Sequence, residues 1–144
     1  MHAFYNYPLF AAFISMILAQ VIKVPLNLII ERSWNPGLAF STGGMPSSHS
    51  AAASSLAVSV GIVDGFNSSL FAIAAVVCAI TMYDAAGIRR HAGIHAALLN
   101  RIIEMTKGMT PEAPLKELLG HRPVEVLGGV ILGTITSYGL HYLN

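Results

Sequence analysis

The stretch from Pro8 to Ile30, PLFAAFISMILAQVIKVPLNLII, decides the fold class. It is apolar at most positions and carries one charge, Lys23. A helix that crosses a bilayer core needs about 20 mostly apolar residues. This stretch supplies them, with Pro8 at a tolerated opening position. Three further stretches lack Asp, Glu, Lys and Arg: Ser33 to Val63, Gly65 to Tyr83 and Val126 to Asn144. The whole chain of 144 residues holds eight Lys/Arg and seven Asp/Glu, 10% of its residues, with 54% hydrophobic side chains. An ordinary soluble domain carries about 25% charged residues, so too few remain here to coat a soluble surface. Disorder is excluded, because it needs low hydrophobicity and high net charge. A net charge of +1 gives no basis for a nucleic-acid partner. The lone Cys78 excludes a disulfide framework and a cysteine-based zinc cluster. The expectation is one integral membrane domain over residues 1–144, all-α and polytopic.

About four transmembrane helices fit the pattern. The first spans Pro8–Ile30, and a third runs from Ser69 to Tyr83 with an extension to Ala86. The last runs from Val124 to Tyr142. Ser48 to Val63 is short for a span and rich in Ala and Ser, which let backbones approach closely in membranes. That helix is expected at the centre. Before it, Ser33 to Ser47 holds Pro36, Gly37, Gly43, Gly44 and Pro46 and reads as a re-entrant loop. His91 to Lys107 can form an interfacial helix, with Ile94, Leu98, Ile102 and Met105 at helical spacing. Leu115 to Leu119 reads as a short helical turn. The N-terminus lacks a basic n-region, so the first span is expected to be retained. Six of the eight basic residues fall between Arg89 and Pro123, and Arg32 falls in the first loop. With four helices both loops lie on one side, which the positive-inside rule makes cytoplasmic.

Polar residues gather at the ends of these helices. Gln20, Lys23 and Asn27 share one face of the first span, where a buried lysine marks function unless it snorkels. The string Gly43-Gly44-Met45-Pro46-Ser47-Ser48-His49-Ser50-Ala51 places glycines and hydroxyls before a helix start, a favourable setting for an anion. A Ser-capped helix after a Gly turn is the plainer reading of the same residues. Asp84, Arg89 and Arg90 close the third span; the arginines can hold phosphate oxygens or pair with Asp84. His121 and Glu125 lie four apart at a helix start, so the carboxylate can fix one imidazole tautomer. His91 and His95 share that spacing but lack an obvious third ligand besides Asp84, so no metal and no cofactor are expected. Gly129 and Gly133 read as a helix-contact pair.

Three strings together resemble the divergent bacterial and plant branch of the type 2 phosphatidic acid phosphatases, relatives of the vanadium-dependent haloperoxidases. They are Gly43 to Ala51, Tyr83 to Arg90 and Leu119 to Val126, and the likeness runs from Lys23 to about Gly133. The resemblance implies an all-α fold and metal-independent hydrolysis through a phosphohistidine. The superfamily's Lys-x6-Arg-Pro motif is matched by Lys23 with Arg32 only at wider spacing, and Ser33 replaces the proline. Its Pro-Ser-Gly-His motif is similar to Pro46-Ser47-Ser48-His49. By that likeness His49 is the general acid, with Gly44, Ser47 and Ser48 holding phosphate alongside Lys23, Arg89 and Arg90. Its Arg-x5-His-x3-Asp motif is divided. Arg89 with His95 fits the first half, but Leu99 stands where the carboxylate belongs. His121 with Glu125 fits the second half and is the preferred nucleophile; His95 is the alternative.

The implied function is a lipid phosphate or pyrophosphate phosphatase. A non-catalytic lipid-phosphate binder or transporter is the rival. Expected partners are the membrane, a lipid phosphate and a second copy of the chain, since four helices leave little protein to seal a polar site. The expected location is the bacterial cytoplasmic membrane, with the site on the cytoplasmic side.

Overall fold

The computed structural model describes residues 6–32, 37, 44–106, 114–115 and 120–143. Within them the chain is helical, with no strand. Helix α1 spans Tyr7–Glu31, α2 Ser48–Asp64, α3 Ser69–Ala86, α4 Ile88–Met105 and α5 Pro123–Leu143. Local chemistry sets most boundaries. The Asn6 side chain accepts from the Leu9 amide, with Pro8 in the first turn of α1. Ser47 and Ser68 cap α2 and α3 by accepting from the amides of Ser50 and Phe71. Gly65, at φ +90°, ends α2 in a conformation that favours glycine. Gly87 separates α3 from α4, so α4 starts at Ile88 rather than at His91.

Among the described residues, three stretches are long and apolar enough to cross a membrane: Tyr7–Ile30, Ser69–Met105 and Pro123–Leu143. The chain is therefore a membrane protein built as a helical bundle. Helix α2, with 17 residues, is shorter and lies in the middle, touching α1, α3 and α5. Its buried residues are small: Ser48, Ser50, Ala51, Ser54, Ser55, Ala57, Ser59 and Gly61. Helix α5 approaches α2 so closely that a Cβ on Gly129 would stand 2.9 Å from Ser50 Cβ, and one on Gly133 3.0 Å from the Ser55 amide nitrogen. The pair is a contact surface, as its spacing suggests.

The buried hydroxyls find partners across this seam. Ser15 Oγ donates to the Ala51 carbonyl at 3.1 Å, and Ser137 Oγ donates to the Ser55 carbonyl at 2.8 Å. Ser59 Oγ donates to Ser137 Oγ at 3.0 Å. Such bonds between membrane helices contribute about 0.6 kcal/mol on average. Large apolar side chains point outward instead, among them Phe13, Ile17, Ile73, Ile80, Ile131 and Ile135. Small groups inside and large apolar groups outside suit lipid, which leaves no hydrophobic drive between helices.

Helix α4 touches only α3 among the described helices. It buries Gly93, Ala96 and Asn100 and exposes Ile94, Leu98, Ile102 and Met105. Its apolar stripe thus faces away from the protein, the arrangement an interfacial helix needs. Asn100 clasps the chain beyond it: its Nδ2 donates to the Leu115 carbonyl and its Oδ1 accepts from the Leu115 amide, both at 2.9 Å. Leu115 is not helical. The remainder of the expected turn, 116–119, and most of the expected re-entrant loop, 33–36 and 38–43, lie outside the described residues.

Candidate active site

The strongest geometry is at the start of α5. Gly120, at φ +87°, turns the chain into it. The His121 amide then donates to the Ala85 carbonyl at 3.0 Å, fastening the loop to the end of α3. Pro123 opens the helix, and Glu125 reaches back over its own first turn. The carboxylate oxygen Oε2 accepts from the Arg122 amide at 3.1 Å and meets His121 Nδ1 at 3.0 Å. This is the acidic half of a capping box, extended to hold a side chain as well as a backbone amide.

Chemistry follows from that contact. A carboxylate accepts only, so Nδ1 carries the proton and the lone pair of a neutral ring lies on Nε2. The ring is 3% exposed, and Nε2 is buried with no hydrogen-bond partner among the described residues. An oriented ring nitrogen whose lone pair is not engaged by the described residues can act as a nucleophile or a base.

The loop before α2 is tied to the same turn, because the Ser47 amide donates to the Glu125 carbonyl at 2.9 Å. Gly44 sits at φ +87° in this loop. Ser47 is fully buried, and its Oγ accepts from the amide and the hydroxyl of Ser50. It serves α2 as a cap, which is the plainer of the two expected readings. Ser48 is buried next to it.

A cavity of about 250 Å³ opens between α1 and α5. Its polar wall holds Lys23 and Asn27 from α1, Gly44 from the loop before α2, Arg122 just ahead of α5, and Glu125 from α5. Lys23 is 1% exposed, so it does not snorkel. Gln20, one turn earlier, has a buried carbonyl oxygen with no partner among the described residues. Asn27 and Arg122 carried no assigned role in the sequence. Asn27 shares the Gln20–Lys23 face, and Arg122 is the nearest cation to His121 in sequence; both signals were legible.

Other expected residues stand apart. His121, His49, Ser47 and Ser48 do not line this cavity, although Glu125 connects it to His121. His49 is exposed and shares the α2 face whose Ala53, Ala57 and Val60 meet Ala74, Cys78 and Met82 of α3. That puts it toward the end of α3, where the His121 amide is anchored. Asp84 is half-buried in the last turn of α3. Arg89 and Arg90 occupy the first turn of α4, and their side chains lie outside the described residues. His91 and His95 are both exposed on α4, as is Leu99. Among the described residues no three of His, Cys, Asp and Glu converge on one point.

Comparisons with known proteins identify the family. The family described as the divergent PAP2 family matches residues 4–136. The chain is similar to the uncharacterized membrane protein YuiD of Bacillus subtilis (strain 168), 43% identical over 150 residues that cover 95% of each chain. No solved structure matches the chain.

Proposed function

From the premise that this chain belongs to the divergent PAP2 family, we propose that it hydrolyses a phosphate monoester or diphosphate carried on a membrane lipid. The observation that carries the reading is His121, held at Nδ1 by Glu125 with Nε2 buried and unpartnered among the described residues. Lys23 and Arg122 neutralise charge on the phosphoryl oxygens, the main source of stabilisation in phosphoryl transfer. Gly44 and Ser48, at the N-terminus of α2, add backbone donors, Ser47 holds that turn in place through its amide bond to the Glu125 carbonyl, and Arg89 and Arg90 lie at the entrance to α4. Nε2 of His121 attacks phosphorus, forming an N–P bond as the P–O bond to the lipid breaks. His49 gives its proton to the departing alkoxide. Glu125 stabilises the positive charge on the phosphorylated ring. Water, losing a proton to His49, then attacks phosphorus and releases inorganic phosphate with His121 regenerated. No metal and no cofactor take part. The excess of Lys and Arg in the loops supports a site on the cytoplasmic side of a bacterial membrane, and in this reading the chain acts as one membrane domain, paired with a second copy.

The test is phosphate release from a panel of lipid phosphates by the protein in detergent, with and without a chelator. Wild type turns over in both, whereas His121→Ala and His49→Ala each lose release. Full activity in His121→Ala moves the nucleophile to His95, and loss on chelation points to a metal-dependent hydrolase.

A second reading has its own observation. The cavity is walled by Lys23, Asn27 and Arg122 but not by His121, which suits a phosphate-lipid binder or transporter without covalent chemistry. It predicts binding of lipid phosphate and no turnover.

A further inference from the structure

The cavity beside Lys23 has two chemically different sides. On α1, Lys23 and Asn27 form a polar ridge, and Leu26 and Ile30 form an apolar ridge about 60° further around the helix. Helix α5 also has a polar and an apolar side here, with Glu125 half-buried and its neighbour Val124, about 100° around the helix, turned outward. Ile30 is 61% exposed and Val124 62%, so the two apolar residues stand at the mouth while Lys23 lies at the floor. Arg122, also exposed, is the cation at the rim.

The apolar side does not end at the mouth. From Val124 the exposed residues Leu127, Ile131 and Ile135 continue along α5 at spacings of three and four, one helical stripe. Val124 to Ile135 rises about 17 Å, roughly the depth of one leaflet of a ~30 Å hydrocarbon core. A tailless phosphate needs only the polar side. A phosphate bearing a hydrocarbon chain uses both, because burying its headgroup at Lys23 leaves the chain against apolar side chains rather than water.

We propose that this cavity takes a phosphate amphiphile head first, with its hydrocarbon chain leaving between Ile30 and Val124 and lying along Leu127, Ile131 and Ile135. The proposal rests on the phosphate-site reading above and deepens it: Ile30 and Val124 are the residues that select for a chain. Dodecyl phosphate with a diazirine in its chain tests this on the full protein in lipid nanodiscs. Photolysis labels the segments around Ile30 and from Val124 to Ile135; excess dodecyl phosphate suppresses the label, and dodecyl trimethylammonium does not. The double variant Ile30→Trp/Val124→Trp raises the concentration of dodecyl phosphate needed for half-saturation at least tenfold. Its binding of inorganic phosphate stays within twofold, which also reports an intact fold. Label spread over all lipid-facing helices, label indifferent to dodecyl phosphate, or equal weakening for both ligands overturns the proposal. Labelling needs no turnover. A correctly placed label without phosphate release defeats the hydrolase reading alone, and phosphate release with the label elsewhere defeats this one alone.

Discussion

Glu125 decides what His121 can do. Its Oε2 holds the ring nitrogen at 3.0 Å and the Arg122 amide at 3.1 Å, so the imidazole is aimed before any substrate arrives. Glu125→Gln keeps the side chain's shape but removes the negative charge that would steady a phosphorylated ring. Its kcat is expected to fall by about a hundredfold or more, measured as phosphate release in detergent, with Tm close to wild type. An unchanged kcat would reduce Glu125 to a helix cap. The His121–Glu125 contact was legible because four residues at a helix start bring side chains onto one face. The choice between His121 and His95 was not decided by spacing alone. It turns on burial, and His95 is exposed on α4 with exposed Leu99 one turn on. The cavity was not legible either, since it needs α1 and α5 side by side and sequence gives no such adjacency.

At the scale of elements, helix positions were readable from where charges are missing. Expected and observed boundaries of α1, α2, α3 (with its extension to Ala86) and α5 agree to within one residue at each end, inside the usual uncertainty of helix ends. The boundary of α4 shifted more, because Gly87 rather than His91 marks the break. The central place of α2 was also legible, since a helix of Ala and Ser has little to offer lipid and much to offer close neighbours. Gly133 tests that closeness. A side chain there would meet α2 around Ala51, Ser54 and Ser55. Gly133→Leu is therefore expected to destabilise the bundle by about 1–3 kcal/mol, read as a lower Tm in detergent. A Tm equal to wild type would mean that α2 and α5 stand further apart.

For the whole molecule, the distribution of side chains is that of a membrane bundle: serines and glycines inside, isoleucine and phenylalanine outside. The ends of α1 and α5 that frame Lys23 and Glu125 belong to the side that carries the basic loops. With Cys78 replaced by Ala, single cysteines report the orientation. On intact cells a membrane-impermeant maleimide is expected to label Asn67→Cys, between α2 and α3, and to spare Thr106→Cys, at the end of α4. The reverse pattern would put the site on the outer face. The central claim, a phosphohistidine at His121, is tested most directly by acid-free quenching of the protein during turnover of a ³²P-labelled lipid phosphate, followed by peptide mapping. The account predicts an alkali-stable, acid-labile label on the peptide that carries His121, absent from His121→Ala. Steady phosphate release with no label at His121, or a label on the His95 peptide, would contradict it.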